Sequence, residues 1–142
     1  MVSLSSADQE MVRIRKNWAL AVAAGDIVGT IFYAKLFEIA PEVRHLFPEV
    51  IDDQARKLLQ TLNWIVDHLE DGEQLIATAE ALAKRHVRYG VEESHYAAVG
   101  AALVETLRQG LGEDFSAEDE AAWVHVYGHL SDIMTNAAYP KS

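Results

Sequence analysis

Apolar residues recur every three to four positions along most of the chain, and this periodicity limits the possible fold more than any other feature. A period near 3.6 indicates amphipathic helices, whereas a half-buried strand would alternate with a period of two. Only three prolines and eight glycines interrupt the 142 residues, and we expect them to fall between helices. The pattern therefore predicts an all-α protein.

Caps and helix breakers predict where each helix begins and ends. Residues 27–39 are apolar nearly all round, so this helix should be central and buried. The expected helices cover residues 6–24, 27–39, 41–47, 52 or 53 to 71–72, a segment that ends at Gly90, 94–110, and 116 to a point before Pro140. Their expected N-caps are Ser6 in a capping box with Gln9, Asp26, Ser94 and Ser116, while Asp52 or Asp53 is expected to begin its helix.

The composition excludes several classes of function. The chain has no cysteine, which rules out disulfides and thiolate metal ligands. Its net charge of −10 argues against nucleic acid and anionic membranes as partners. No apolar stretch approaches the roughly 20 residues of a membrane span, and the N-terminus lacks the pattern of a signal peptide. We expect a cytoplasmic protein with one domain over residues 1–142, as a monomer or a homodimer.

His86 is the residue whose position most strongly suggests chemistry. It shares one face of its predicted helix with Leu75, Ala79 and Leu82, where core side chains are expected. An imidazole among core side chains needs a partner, which could be a backbone carbonyl, a carboxylate or a metal ion. Taken alone, this position favours an ordinary core histidine over a metal ligand.

Three segments together resemble bacterial single-domain haemoglobins and the globin domains of flavohaemoglobins. They are residues 32–47, which begin Phe-Tyr-Ala-Lys, residues 84–100, which begin Lys-Arg-His, and residues 122–128, Ala-Trp-Val-His-Val-Tyr-Gly. They occur in the order and at the separations of that family, and the resemblance covers essentially the whole chain. It implies a globin fold of six to eight helices around a pocket for haem b. Without cysteine, the haem would be held non-covalently.

The resemblance also implies roles for individual residues. His86 would be the proximal iron ligand, while Tyr33 and Gln54 would donate hydrogen bonds to a bound gas. Phe47 would pack on the porphyrin face, and Leu58 would form an apolar pocket wall. Lys57, Arg85 and His45 could pair with the haem propionates or be merely solvated. Further contacts with the haem are expected from Leu82, Tyr96, Val99, Leu103 and Tyr127.

One departure from the flavohaemoglobin pattern affects the expected chemistry. That family pairs its proximal histidine with a tyrosine and a glutamate. Tyr96 matches the tyrosine, but Ala138 aligns with the glutamate, and no acid occurs in residues 133–142. A carboxylate that accepts the proximal N–H makes the imidazole more basic and assists O–O cleavage. Peroxidase-like chemistry is therefore less expected.

Three functions remain open from the sequence. The first is reversible binding of O2 at ferrous haem, with CO and NO as further ligands. The second is nitric oxide dioxygenation, for which a separate reductase would supply electrons, since these 142 residues contain no glycine-rich phosphate loop. The third is a haem-free helical interaction module, in which Tyr33, Gln54 and His86 form a satisfied polar cluster.

Overall fold

The computed structural model of the protein describes residues 6–25, 27–47, 49–88 and 94–139, and over these residues every regular element is helical. The α-helices are α1 (Ser6–Ala23), α2 (Ile27–Ile39), α3 (Asp52–Asp67), α4 (Gly72–Arg88), α5 (His95–Leu111) and α6 (Ala117–Ala138). Short 3₁₀ segments, Pro41–Leu46 and Gly112–Asp114, follow α2 and α5. The prediction of an all-α protein is confirmed.

The central helix is α2, as its apolar sequence predicts. Val28, Phe32 and Leu36 are buried, and the helix packs against α3 and α5. Most of the core forms one apolar cluster to which α1, α2, α3, α5 and α6 all contribute. No single described helix is long and apolar enough to span a membrane, although residues Asp8–Ala23 and Ile27–Ile39, bent by 105° at their junction, meet a test of length and composition as a pair.

Glycine does not only mark helix ends in this fold. Gly25 follows α1 with a φ of +84°, a left-handed conformation that glycine adopts without steric cost. Gly29, in contrast, lies inside α2, where a Cβ would come within 2.8 Å of the Ala55 Cβ. The expectation that glycines fall between helices is therefore wrong at Gly29, which instead permits close contact of α2 with α3.

A buried polar network joins α1 to α6. The Asn17 side chain is fully buried; its amide N–H donates to Asp119 at 3.3 Å, and its oxygen accepts from the Trp123 indole at 3.1 Å. Arg13 pairs with Asp119 at 3.0 Å, and Ser116 and Asp119 cap each other at the start of α6, as predicted for Ser116. Burial raises the pKa of Asp119, but the hydrogen bonds from Ser116, Arg13 and Asn17 outweigh burial and hold the pKa below its usual value.

One predicted cap and one predicted helix end are wrong. Ser94 has helical angles, φ −62° and ψ −23°, and its side chain makes no capping hydrogen bond to α5. Helix α3 ends at Asp67 rather than at 71–72, and there the His68 ring forms a hydrogen bond with the Trp64 carbonyl at 2.7 Å and stacks on the Trp64 ring at 3.9 Å. Three further predictions lie outside the part of the chain that the structure describes. They are the cap by the Ser6 side chain, the cap at Asp26 and the helix end at Gly90.

A second, smaller apolar cluster lies where α4 packs against α6. It consists of Ala79, Ala83, Tyr96 and Met134, with small and aliphatic side chains around it. His86 belongs to the same helix, one turn beyond Leu82. The two clusters supply opposite walls of the cavity in which the predicted site residues lie.

Candidate functional site

A cavity of about 340 Å³ is lined by residues from both clusters, a volume within the usual range for small-molecule sites. Helices α2 and α3 contribute one wall, and α4, α5 and α6 contribute the other. The structure brings together eleven of the thirteen residues named as candidates for the site: Tyr33, Phe47, Gln54, Lys57, Leu58, Leu82, Arg85, His86, Tyr96, Val99 and Tyr127.

His86 reaches the cavity from the last turns of α4. Its Nδ1 lies 2.6 Å from the Leu82 carbonyl oxygen, one helical turn earlier. A carbonyl oxygen can only accept, so this bond places the proton on Nδ1 and leaves Nε2 as a lone-pair donor in the neutral ring. The described residues contain no group of three or more His, Cys, Asp or Glu that could hold a metal ion. Nε2 is thus suited to be a single axial ligand rather than one member of an all-protein metal site.

The opposite wall carries Tyr33 and Gln54. Tyr33 is only 3 % exposed, and its hydroxyl forms a hydrogen bond with the Gln54 side chain. Burial raises the pKa of Tyr33 to about 12, although the bond with Gln54 acts in the other direction. The phenol therefore stays protonated at neutral pH and remains a hydrogen-bond donor.

Aromatic rings hold the Tyr33 side chain in place. Its ring centroid lies 5.3 Å from that of Phe47 and 5.9 Å from that of Phe37, and Phe37 and Phe47 are 5.6 Å apart. The guanidinium of Arg44 lies 5.0 Å from the Phe37 ring centroid. These contacts place Phe47 in the cavity wall directly beside Tyr33.

Charged side chains in the lining are cations. Lys57 on α3 and Arg85 on α4 are exposed and line the cavity, and no carboxylate of a described residue does so. His45 is exposed and is not part of the lining. His95, which the sequence did not single out, is half-buried and lines the cavity near Tyr96.

Other lining residues follow from a pattern already visible in the sequence. Thr61, Leu62 and Ile65 lie one and two turns beyond Leu58, on the cavity face of α3. Leu103, in contrast, is placed in the main core and does not line the cavity. It shares a helix face with Val99, but α5 has passed the cavity by that turn.

Tyr96 and Tyr127 complete the wall beside His86. The Tyr127 hydroxyl donates to the Tyr96 main-chain carbonyl at 2.6 Å, and burial raises the pKa of Tyr127 above its usual value. Burial also raises the pKa of Tyr96 to about 12, but the buried Tyr96 hydroxyl has no hydrogen-bond partner among the described residues. The Tyr96 and His86 ring centroids are 6.4 Å apart, and the half-buried Ala138 packs against the same small cluster.

Comparison with known proteins gives consistent matches. The globin family model matches residues 30–134. A flavohemoprotein of Bordetella pertussis is 32% identical over 113 residues, which cover 78% of this chain and 28% of that protein. An anaerobic nitrite reductase of Arabidopsis thaliana is 25% identical over 92% of both chains. The chain thus spans less than a third of the length of the Bordetella relative.

A likeness in structure accompanies these matches in sequence. A bacterial globin from Campylobacter jejuni superposes with a TM-score of 0.79 over 92% of this chain and 94% of that chain, at 22% sequence identity. At this identity the likeness concerns the fold alone, and it confirms the predicted helix arrangement around a central pocket.

Proposed function

The chain belongs to the globin family, and on that basis we propose that it holds haem b non-covalently in the central cavity and binds dioxygen reversibly. The observation that carries this proposal is the state of His86. Its Nδ1–H donates a hydrogen bond to the Leu82 carbonyl at 2.6 Å, so Nε2 is the ring nitrogen available to bind a metal as an axial ligand. Haem iron, when bound there, supplies an open coordination position for a diatomic gas.

The remaining lining fits a planar apolar group that carries two carboxylates. Phe47, Leu58 and Val99 offer apolar contact surface on different helices or segments. Lys57 and Arg85 are available to pair with propionates, and no described carboxylate in the lining would repel them.

Tyr33 and Gln54 would determine the rate at which the bound gas dissociates. A phenol whose pKa lies at about 12 is protonated and can donate a hydrogen bond to a gas molecule in the cavity. The Gln54 side chain, bonded to Tyr33, orients the phenol and offers a second donor. Two donors on one wall favour slow release.

The group that accepts the His86 Nδ1–H hydrogen bond favours reversible binding of dioxygen over cleavage of the O–O bond. The Leu82 carbonyl is a neutral acceptor, and a neutral acceptor raises the basicity of an imidazole less than a carboxylate does. With alanine at position 138, no carboxylate side chain is available there to act on His86.

The absorption spectrum of the purified protein tests the proposal. We expect an intense band near the violet edge that shifts when CO is added to the ferrous form. His86→Ala should abolish this spectrum, whereas His45→Ala, at an exposed position outside the cavity, should preserve it. An unchanged spectrum in His86→Ala would exclude His86 as the axial ligand. A colourless protein purified from cells supplied with haem would instead favour a haem-free helical module.

The flavohemoprotein relatives support a second candidate, nitric oxide dioxygenation. Conversion of nitric oxide and dioxygen to nitrate takes up one electron per turnover, which a separate reductase would supply. We expect continuous NO consumption when a reductase and NADH are present, and one turnover without them. If the reductase does not extend consumption beyond one turnover, the protein is a binding protein rather than a dioxygenase.

A further inference from the structure

A second cavity of about 600 Å³ lies in the groove between α5 and α6. Much of its surface comes from small residues, including Ala97, Gly100 and Ala101 on α5 and Gly128 on α6. Ala97 and Ala101 are exposed, so the groove reaches the protein surface. Its position is separate from the mouth of the central cavity, where Lys57 and Arg85 lie.

Tyr96 and Tyr127 connect this groove with the central cavity. Among the described residues they alone line both cavities. At this point the groove and the cavity therefore share two residues, on the side of the cavity where His86 lies.

The Tyr127 side chain closes this wall through two contacts. Its ring lies against Gly100 so closely that a Cβ there would be 2.7 Å from a ring carbon. Its hydroxyl donates to the Tyr96 carbonyl at 2.6 Å. The ring thus occupies space that only a glycine leaves free, and one hydrogen bond fixes its far end.

The Tyr96 side chain is held less firmly. It is 6 % exposed, yet its hydroxyl has no partner among the described residues. A buried hydroxyl without a partner is unfavourable, so native packing does not lock this ring through its polar end. Its buried apolar neighbours are the small Ala79 and Ala83 and the flexible Met134.

We propose that the α5–α6 groove is a second route by which small uncharged gas molecules reach the central cavity, through the wall formed by Tyr96 and Tyr127. The groove suits such a ligand because its small side chains leave a surface path that ends at residues shared with the cavity, and because the carboxylates of Glu105 and Asp132 in its lining would disfavour anions. The identity of the ligand rests on the proposed function, whereas the groove and its wall are properties of the chain itself.

Filling the groove tests the route. Ala101→Trp places an indole at an exposed position that lines the groove, and Ala121→Trp is the matched control, an exposed alanine on α6 that lines neither cavity. After photolysis of the CO complex, we expect Ala101→Trp to slow CO association on the order of threefold or more relative to Ala121→Trp. Equal association rates in the two variants would overturn the proposal.

Opening the wall should have the opposite effect. Tyr127→Phe keeps the ring but removes the bond to the Tyr96 carbonyl. We expect faster CO association and a larger fraction of photolysed CO that escapes to solvent. In the double variant with Ala101→Trp this gain should disappear, and a gain that persists would show that the ring acts on the haem environment rather than on the route.

Xenon separates this proposal from the proposed function, because xenon occupies apolar cavities whether or not haem is bound. In crystals under xenon pressure we expect xenon in the α5–α6 groove, and none there in Ala101→Trp. If the protein lacks haem but binds xenon in the groove, the proposed function fails and the route stands. If haem and CO bind normally but xenon is absent from the groove, the route fails alone.

Discussion

The two walls of the central cavity each contain a buried tyrosine, and the hydroxyl groups of these two tyrosines differ in their hydrogen bonding. On the α2–α3 wall, Tyr33 is bonded to Gln54, whereas on the α5 wall, the Tyr96 hydroxyl has no partner among the described residues. Burial raises the pKa of both phenols to about 12. Burial and pKa therefore do not distinguish the two residues, whereas the hydrogen-bond partner does.

The side chains packed around the two rings also differ: those around Tyr33 are aromatic, and those around Tyr96 are mostly aliphatic. The Tyr33 ring lies 5.1 Å from Phe32, 5.9 Å from Phe37 and 5.3 Å from Phe47, measured between ring centroids. The described neighbours of Tyr96 in its cluster are mostly alanine and other aliphatic side chains. Aromatic rings thus surround the donor on the α2–α3 wall, whereas mostly aliphatic side chains surround the tyrosine on the α5 wall.

The largest difference between the two tyrosines is expected in the rate of gas release. Tyr33→Phe removes a hydrogen bond worth roughly 1 to 3 kcal/mol, so the O2 dissociation rate should rise about tenfold or more. Tyr96→Phe, on the other wall, should change that rate by less than about twofold. Stopped-flow displacement of O2 by CO measures both rates. Similar rates in the two variants would contradict the expected difference between the roles of Tyr33 and Tyr96.

A smaller difference is expected in stability. Tyr96→Phe removes a buried hydroxyl that has no partner among the described residues, so the free energy of unfolding should rise by about 1 kcal/mol. Tyr33→Phe leaves Gln54 without its partner, so the same quantity should fall by about 1 kcal/mol. Urea unfolding of each variant beside the unchanged protein gives these values. A loss of stability in Tyr96→Phe would mean that its hydroxyl has a partner in solution.

The smallest difference is expected in the dependence of stability on pH. An unfolded tyrosine releases its proton near pH 10, whereas burial holds the pKa of Tyr33 and Tyr96 at about 12. The unfolded chain therefore binds fewer protons in this window, and stability falls as pH rises from 10 through 12. Tyr33→Phe and Tyr96→Phe should reduce this slope equally in unfolding experiments between about pH 9 and about pH 11.5. Unequal reductions would show that the two phenols have different pKa values in the folded protein.

Periodicity in the sequence predicts which face of a helix is buried, and it succeeds where that face is continuous. The all-round apolar pattern of residues 27–39 predicts the central position of α2, and the face that includes Leu58 points to Leu62 and Ile65 in the cavity wall. The roles assigned to His86 and Tyr33 stay predictions, but the structure brings both to one cavity, as their segments suggest.

Periodicity does not predict how far along a helix a cavity extends or how a polar atom is satisfied. Leu103 shares a face with Val99 yet packs in the main core, because the cavity ends before that turn. The missing partner of the Tyr96 hydroxyl and the lining position of His95 depend on how separate helices approach each other. Ser94 has the residue type of a cap, but its helical backbone angles leave it no capping role.

The network of Asn17, Asp119 and Trp123 also has a consequence for the order in which the chain acquires its structure. These side chains are separated by 102 and 106 positions in the sequence. During synthesis on the ribosome, α1 leaves the exit tunnel before α6, so Asn17 cannot reach its partners on α6 until that last helix has emerged. Contacts between such distant positions slow folding, so the α1–α6 network is expected to form late.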